Sequence, residues 1–549
     1  MPASPHTLLV SERESDGVRT LLLGLDGVSR SILRPFFESD RLPNLDALFD
    51  RAIVDDLESQ IPPWTPSAWP SLYTGVNPGK HGAFDFLTFD GYDWNLINRT
   101  HVREHAIWEL LDQQGLSSVV VNVPVTDPPQ PFDGALVPGY IGPDDPTCHP
   151  DGLLDDLREE IGEYRVYAPD GVDGDEQIEW YRRLIKMRGR AFRRLEAEHE
   201  PDFGFIQFQQ TDSVFHDRPD DDDAVHAVFE TVDEEVGRIL DACDPETVIV
   251  ASDHGMGPYD GYEFRVNEYL RDLDFLESTR GDGSMPSWTA LAREREDDES
   301  GSSVLQGALQ VASSVGLTSQ RIHALLSALS LDEFVLEHVS SDTVRAATER
   351  VDFANSTAYM RSRTELGVRL NKAGRDAEGS VSPSEYDAVR DDVIRELAAA
   401  RTPDGDPVFD EVAASEEYFD GPFVDEAVDI VTVPAAFDNY LSASLRGDVF
   451  AEPSEPWNHK IDGIVAVAGS AVNSDGDITG SHLFDVAPTV LASLDIPPST
   501  RMDGEPLDVV DAPEPATYEP FTQGQVRNTE TATAEQRLAD LGYLNTDEY

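Results

Sequence analysis

The sequence predicts an α/β protein built on a central, mostly parallel sheet, and three observations carry that prediction. Short apolar runs alternate with helical stretches from the start of the chain, the pattern of strand–helix–strand units. Three of those runs stop at an acidic residue: Leu21-Leu22-Leu23-Gly24-Leu25 meets Asp26, the run 203–209 meets Asp212 with His216 four residues on, and the run 247–251 meets Asp253-His254-Gly255. At 549 residues the chain is also longer than the roughly 250–300 residues of a single core, so a large core with inserted or appended parts is expected.

In chain order, the run 19–25 reads as the first strand and 29–50 as a helical segment after it. Further strands are expected at 118–123, 203–209, 247–251 and 463–469. The stretch 176–198, rich in Arg and Glu, reads as a long helix. In 222–242, Val225, Val228, Val232, Val236, Ile239 and Leu240 recur at helical spacing, so that segment packs on the sheet. A Gly/Ser/Glu-rich linker at 281–303 precedes apolar helical stretches at 304–315 and 322–331, and 384–400 reads as another helix. The domain organisation expected is a first part of the core at 1–280, a helical insertion or cap at 281–349, the second part of the core at 350–510, and an acidic tail at 511–549 with a short helix at 534–541.

Composition narrows the class. The formal charge is −65, from 106 acidic against 41 basic residues, with the acids spread among apolar segments rather than gathered in a disordered block. Lys80, Lys186, Lys372 and Lys460 are the only lysines. Such a surface suits high salt, where the Debye length falls to about 3 Å at 1 M and self-repulsion is screened. A halophilic, archaeal source is the expectation. The same field repels polyanions, so nucleic-acid polymers and anionic membranes are not expected partners. No apolar run approaches the roughly 20 residues of a membrane span, and the polar N-terminus does not read as a signal peptide. Two cysteines, Cys148 and Cys243, make no disulfide framework, and a cytoplasmic location is expected.

The chemistry follows from the strand ends. In an open α/β sheet, ligands gather at the carboxyl ends of strands, so Asp26, Asp212 and Asp253 converge on one crevice. Mixed carboxylate and imidazole donors suit Zn²⁺, and also Mn²⁺ or Fe²⁺. Two close cations clamp a phosphoryl group in flight, so the reading is a two-metal phosphohydrolase. Asp212 and His216 stand one helical turn apart, and Gly255 and Gly257 after Asp253-His254 are expected to permit unusual backbone angles. His459 lies just before the run 463–469. A nucleophile is expected in Pro62-Pro63-Trp64-Thr65-Pro66-Ser67, where a hydroxyl needs a metal to activate it and a helix starting near Ser67 turns its amides toward phosphate. Trp64 and Trp69 read as buried packing rather than a base-stacking platform.

The set Leu25-Asp26-Gly27, Thr65 with Thr74-Gly75, Asn77-Pro78-Gly79-Lys80-His81-Gly82 and Ser252-Asp253-His254-Gly255-Met256 resembles the alkaline phosphatase superfamily. Within it the chain is most similar to the type I phosphodiesterase/nucleotide pyrophosphatase branch and its archaeal phosphohydrolase and phosphomutase relatives. Asn371-Lys372-Ala373-Gly374-Arg375 and the run from Phe484 to Leu491 leading to Met502-Asp503-Gly504 extend the match over about residues 20 to 508. The resemblance implies a three-layer sandwich. It also implies one divalent ion on Asp212, His216 and His459, and a second on Asp26, Asp253 and His254, with Thr65 bridging toward it as the nucleophile that forms a phosphothreonine. His81 is implied to be structural, and His482, at a helix start, is a minor rival to His459.

The substrate implied is a small phosphorylated molecule, a phosphodiester or nucleotide pyrophosphate. Lys372 and Arg375, or Arg361 and Arg363, are the tentative cations for its phosphate. Where many nucleotide pyrophosphatases carry Asn three residues after the nucleophile, this chain has Ala68. A phosphomutase or phosphomonoesterase of the same superfamily is the alternative, and a non-catalytic binding protein on the same fold is the alternative of another class. A sulfatase is disfavoured, since neither Cys148 nor Cys243 is followed by the needed Arg.

Overall fold

The computed structural model describes residues 17–169, 171–280 and 349–526. The helical cap expected at 281–349 (Glu349 apart) and the helix at 534–541 lie outside them. The run of hydrophobic residues from Thr20 forms the middle strand of a seven-stranded sheet. Its order is Ile53–Glu58, Asp462–Gly469, Thr247–Ala251, Thr20–Leu25, Phe203–Phe208, Ser118–Val121, Gly134–Val137. Thr20–Leu25 runs parallel to both Phe203–Phe208 and Thr247–Ala251, while Asp462–Gly469 runs antiparallel to its neighbours. The sheet is therefore mostly parallel, as the alternation of runs and helices implied.

Its two faces can be read from the alternation of side chains along each strand. Leu21, Leu23 and Leu25 join one buried apolar cluster with Ile206, Phe208, Val248 and Val250; Leu22 joins the other with Phe205, Ile249 and Val465. The first cluster is covered by the helices Gly174–His199 and Asp222–Cys243, which pack on each other. The second is covered by Thr65–Thr74 and Val486–Ser493. Helices on both faces of one sheet make three layers.

Differences from the expected elements have local causes. The segment 29–50 is two helices, Arg30–Glu38 and Pro43–Phe49, because Asp40 takes a positive φ of 54° ahead of Pro43. The acidic strand Ile53–Glu58 escapes a hydrophobicity reading because it is an edge strand, with only Leu57 buried. A four-stranded antiparallel sheet, Ala358–Tyr359, Gly367–Leu370, Ile430–Pro434 and Phe409–Ala414, packs beside the main one. The pairing of Trp457–Lys460 with Gly255–Pro258 sets His459 opposite Met256. Among the described residues no helix is long and apolar enough to cross a membrane, and Cys148 and Cys243 are buried and free.

Candidate active site

Asp26 follows directly on the central strand, Asp253 and His254 follow the strand beside it, and Asp212 lies in the helix Gln210–Asp217 after the strand on the other side. Gly27, at φ +67°, allows the chain to turn there; a Cβ on it would sit 3.1 Å from an Asp212 carboxylate oxygen. His216 lies one turn after Asp212 on the same helix, with Nε2 3.4 Å from Asp212 Oδ1. Phe215 of that helix stacks on Trp457 at 5.3 Å, fastening it to the strand that carries His459. His459 Nε2 stands 3.6 Å from Asp212 Oδ1 and 3.2 Å from His216 Nε2.

On the other side, His254 Nε2 lies 3.3 Å from Asp253 Oδ2 and 3.5 Å from Asp26 Oδ1. The two sets abut, because the His254 and His459 rings stack with centroids 3.6 Å apart. Asp212, His254 and His459 also present ligand atoms within one ion-sized space, as do Asp26, Asp253 and His254. The donor atoms are turned inward by hydrogen bonds at their far sides. His254 Nδ1 pairs with the Gly255 carbonyl at 2.9 Å and His459 Nδ1 with the Pro63 carbonyl at 2.9 Å, leaving each Nε2 to the site. Trp69 Nε1 and Gln207 Nε2 donate to Asp26 Oδ2 at 2.8 and 2.6 Å, leaving Oδ1.

This arrangement fits divalent cations. Asp26 Oδ1, Asp212 Oδ1, Asp253 Oδ2 and His254 Nε2 are buried without a hydrogen-bond partner, which is costly unless an ion takes their lone pairs. Ligands at about 2.0–2.1 Å around a tetrahedral ion lie roughly 3.3–3.4 Å apart, close to the separations seen here. Electrostatics agree. Burial pushes Asp253 well above the usual carboxylate range, reinforced by the Asp26 charge, and pushes Asp26 up to about 6 against the pull of His254. Burial disfavours charge on His254, but Asp253 and Asp26 outweigh it and hold the imidazole up at about 10. Burial and the neighbouring His254 and His216 drive His459 well below its ordinary value. The carboxylates call for positive charge between them.

Thr65 is the first residue of the helix Thr65–Thr74 and is buried. Its neighbours on the helix bracket both ligand sets: Trp64 stacks on His459 at 5.3 Å, and Trp69 donates to Asp26. Both tryptophans are buried, in keeping with packing roles. His81 is buried, with Nε2 2.8 Å from Ser71 Oγ and Nδ1 accepting from the Ala83 amide, so it braces this helix. His482 caps the short helix Leu483–Asp485, and the structure brings His459, not His482, to the acids.

The four tentative cations divide. Arg363 is 2.8 Å from Glu455, whose carboxylate also accepts from Asn458 beside His459. Arg375 forks onto Asp429 at 2.7 and 2.9 Å, Arg361 pairs with Glu365, and Lys372 lies over the Tyr386 ring at 4.4 Å. These last three therefore brace the second sheet and its flank, and of the four Arg363 is the one whose charge reaches His459. Gly255 also differs from expectation: it does not take a positive φ, but a Cβ there would collide with the Asp462 carbonyl, so its role is close strand approach. Trp69 and Gln207 as donors to Asp26 were not foreseen. The signal was Gly24 in mid-strand, where a Cβ would stand 2.6 Å from the Trp69 ring and 3.2 Å from Gln207 Cγ.

Comparison with known proteins agrees with this geometry. No curated protein matches the chain. Among solved structures, phosphonoacetate hydrolase from Sinorhizobium meliloti 1021 is similar at 16% identity and a TM-score of 0.52, covering 87% of this chain and 96% of its own. The alkaline phosphatase PafA is similar at 13% identity and a TM-score of 0.52, covering 91% and 100% respectively. At that identity they establish the shared fold. The family model for type I phosphodiesterase / nucleotide pyrophosphatase matches residues 20–436. The chain, which shares its fold with the alkaline phosphatase PafA, thus belongs to the type I phosphodiesterase/nucleotide pyrophosphatase family of metal-dependent hydrolases.

Proposed function

We propose that the protein is a two-metal hydrolase of phosphodiesters or nucleotide pyrophosphate bonds, with Thr65 as nucleophile. The observation that supports this best is the pair of abutting ligand sets, Asp212/His216/His459 and Asp26/Asp253/His254, in which Asp26 Oδ1, Asp212 Oδ1, Asp253 Oδ2 and His254 Nε2 are buried without partners, while Trp64 and Trp69 on either side of Thr65 in the chain touch His459 and Asp26. Bound there, divalent ions, with zinc the best fit to the mixed donors, supply charge neutralisation and activation of oxygen nucleophiles.

The chain's own residues do the rest. Trp69 and Gln207 fix the Asp26 carboxylate, and the Pro63 carbonyl fixes the tautomer of His459. Thr65 Oγ forms a bond to phosphorus as one ester oxygen leaves in line and takes up the proton that the hydroxyl gives up, so that a phosphoryl group still bearing the second ester of the diester is held on Thr65. Water then attacks phosphorus, the Oγ–P bond breaks, and the Thr65 hydroxyl is restored. The buried helix start holds Thr65 in one position, so little orientational entropy is lost in reaching the transition state.

The test measures turnover of bis-p-nitrophenyl phosphate and p-nitrophenyl phosphate in molar KCl, with acid-quenched peptide mapping. The expected result is preference for the diester, a p-nitrophenyl phosphoryl adduct on the peptide carrying Thr65 when the diester is the substrate, and loss of both in Thr65→Ala. Undiminished turnover in Thr65→Ala would refute the nucleophile; preference for the monoester would favour a phosphomonoesterase.

A further inference from the structure

A cavity of ≈ 170 Å³ opens beside the Asp212 helix, walled by the helix Gly174–His199, by Asn122 and Tyr140, and by residues 166–169 and 171–172. That is about the volume that holds a benzene-sized guest. Its lining includes Gln210 and Ser213, which flank Asp212, together with Tyr140, Tyr167, Tyr181 and Arg188. Tyr140 and Tyr181 both feel the Asp212 charge, which places the cavity against the metal-ligand set.

Arg188 is the unusual member. It is 1% exposed, and its Nη2 donates to the Val166 carbonyl at 2.6 Å, but its Nε and Nη1 have no partner. The other buried arginines, Arg99, Arg265, Arg361, Arg363 and Arg369, each meet a carboxylate. Among the described residues Arg188 meets none, in a chain with 106 acidic residues to draw on. Burying an unpaired guanidinium is expensive, and a leucine at this helix position would fill the space at no such cost. Tyr140 Oη and Gln210 Oε1 are likewise buried without partners on the same cavity. Three unsatisfied groups of complementary type around one ring-sized space describe a ligand that brings acidic oxygens for Arg188 and hydroxyl or amide hydrogens for Gln210.

We infer that this cavity is a substrate subsite, and that the substrate's alcohol portion is ring-sized and carries an oxyanion, a carboxylate or a second phosphate, paired with Arg188. The inference rests on the hydrolase reading for what the neighbouring site does, and it specifies which esters that site accepts. It also answers the −65 charge of the chain, because a guanidinium held out of water is screened far less than a surface cation.

The experiment titrates the full-length, metal-loaded protein with benzoate, phenylphosphonate and the neutral isostere benzamide by calorimetry in molar KCl. One or both anions are expected to bind at least tenfold more tightly than benzamide, the tighter naming the substituent. Loss of a charge-assisted pair in Arg188→Met should reduce that preference roughly 10- to 100-fold. Arg188→Lys should keep most of it, and this contrast with Arg188→Met is what anion binding at the metals alone would not produce, since neither variant would then matter. Val172→Trp, which fills the cavity from its loop wall, should weaken the anion at least tenfold even if Arg188→Met does not fold. Equal affinity for anion and benzamide in the wild type, or an anion preference that survives both Arg188→Met and Val172→Trp, would overturn the subsite. Turnover of 4-carboxyphenyl phosphate against 4-methylphenyl phosphate separates the two readings: no hydrolysis of either, with none of bis-p-nitrophenyl phosphate, defeats the hydrolase reading, whereas hydrolysis without anion preference defeats the subsite alone.

Discussion

Replacing Trp69 by Phe tests how the fold prepares the proposed metal ligand Asp26. Trp69 Nε1 gives one of two hydrogen bonds that Asp26 Oδ2 receives, at 2.8 Å, the other coming from Gln207 at 2.6 Å. Together they fix the carboxylate so that Oδ1 faces His254 at 3.5 Å. A hydrogen bond to a charged group contributes about 1.5–3 kcal/mol, and outer-shell partners of ligands typically govern 10- to 100-fold in metal affinity. Gln207 remains in Trp69→Phe, so metal affinity at the Asp26 set should fall about 10- to 30-fold, toward the lower part of that range. The indole also fills the space left by Gly24, so the variant should lose about 1–3 kcal/mol of stability through the gap it leaves. The two effects separate in a chelator competition. Activity at limiting metal should drop and return as free metal is raised, while the loss in Tm of the metal-saturated protein stays. A variant less stable but with an unchanged metal requirement would refute the idea that Trp69 orients Asp26.

Other consequences can be checked alongside. Gly255→Ala, whose Cβ would collide with the Asp462 carbonyl, should destabilise the protein by about 3 kcal/mol or more, read as a fall in denaturation midpoint; a midpoint within error of wild type would contradict the close approach assigned there. Asp85 is buried and pushed up to about 7, chiefly by burial, so it favours the folded state while protonated. Its contribution is full below about pH 4 and is lost as pH rises through 7, so Asp85→Asn should gain on the order of 2 kcal/mol relative to wild type between pH 5 and pH 8. Parallel stability–pH profiles for the two proteins would contradict this. With a net charge of −65, Tm should climb steeply from 0.15 M to molar KCl; a flat response would remove the screening argument.

Much of the site could be read in the sequence because strand ends are local. Leu21 to Leu25 must be buried on both faces of a parallel sheet, and the first residue that cannot be buried without a partner, Asp26, marks where the strand reaches the crevice. The same logic found Asp253, and helical spacing gave His216 from Asp212. His459 does come within 3.6 Å of Asp212, but not for the reason its place before the run 463–469 suggested. It reaches the acids through its own short strand paired with Gly255–Pro258, a contact across some two hundred residues that no local pattern encodes.

The cations show the opposite limit. Lys372, Arg361 and Arg375 looked available for phosphate because their partners, Tyr386, Glu365 and Asp429, are chosen by the register of the second sheet and its flanking helix. Arg188 looked like one more charge on an Arg-rich helix; only burial without a carboxylate sets it apart. Strand Ile53–Glu58 was missed because an edge strand can carry three acids in six residues and still pair.

Six residues, Asp26, Asp212, His216, Asp253, His254 and His459, are proposed to hold two metals. Elemental analysis of the purified protein after loading with zinc and removal of free metal tests it directly. The prediction is two ions per chain in the wild type, one in Asp212→Ala and one in Asp253→Ala, with each variant keeping its fold by circular dichroism. A single ion per chain in the wild type, or two ions retained in either folded variant, would contradict it.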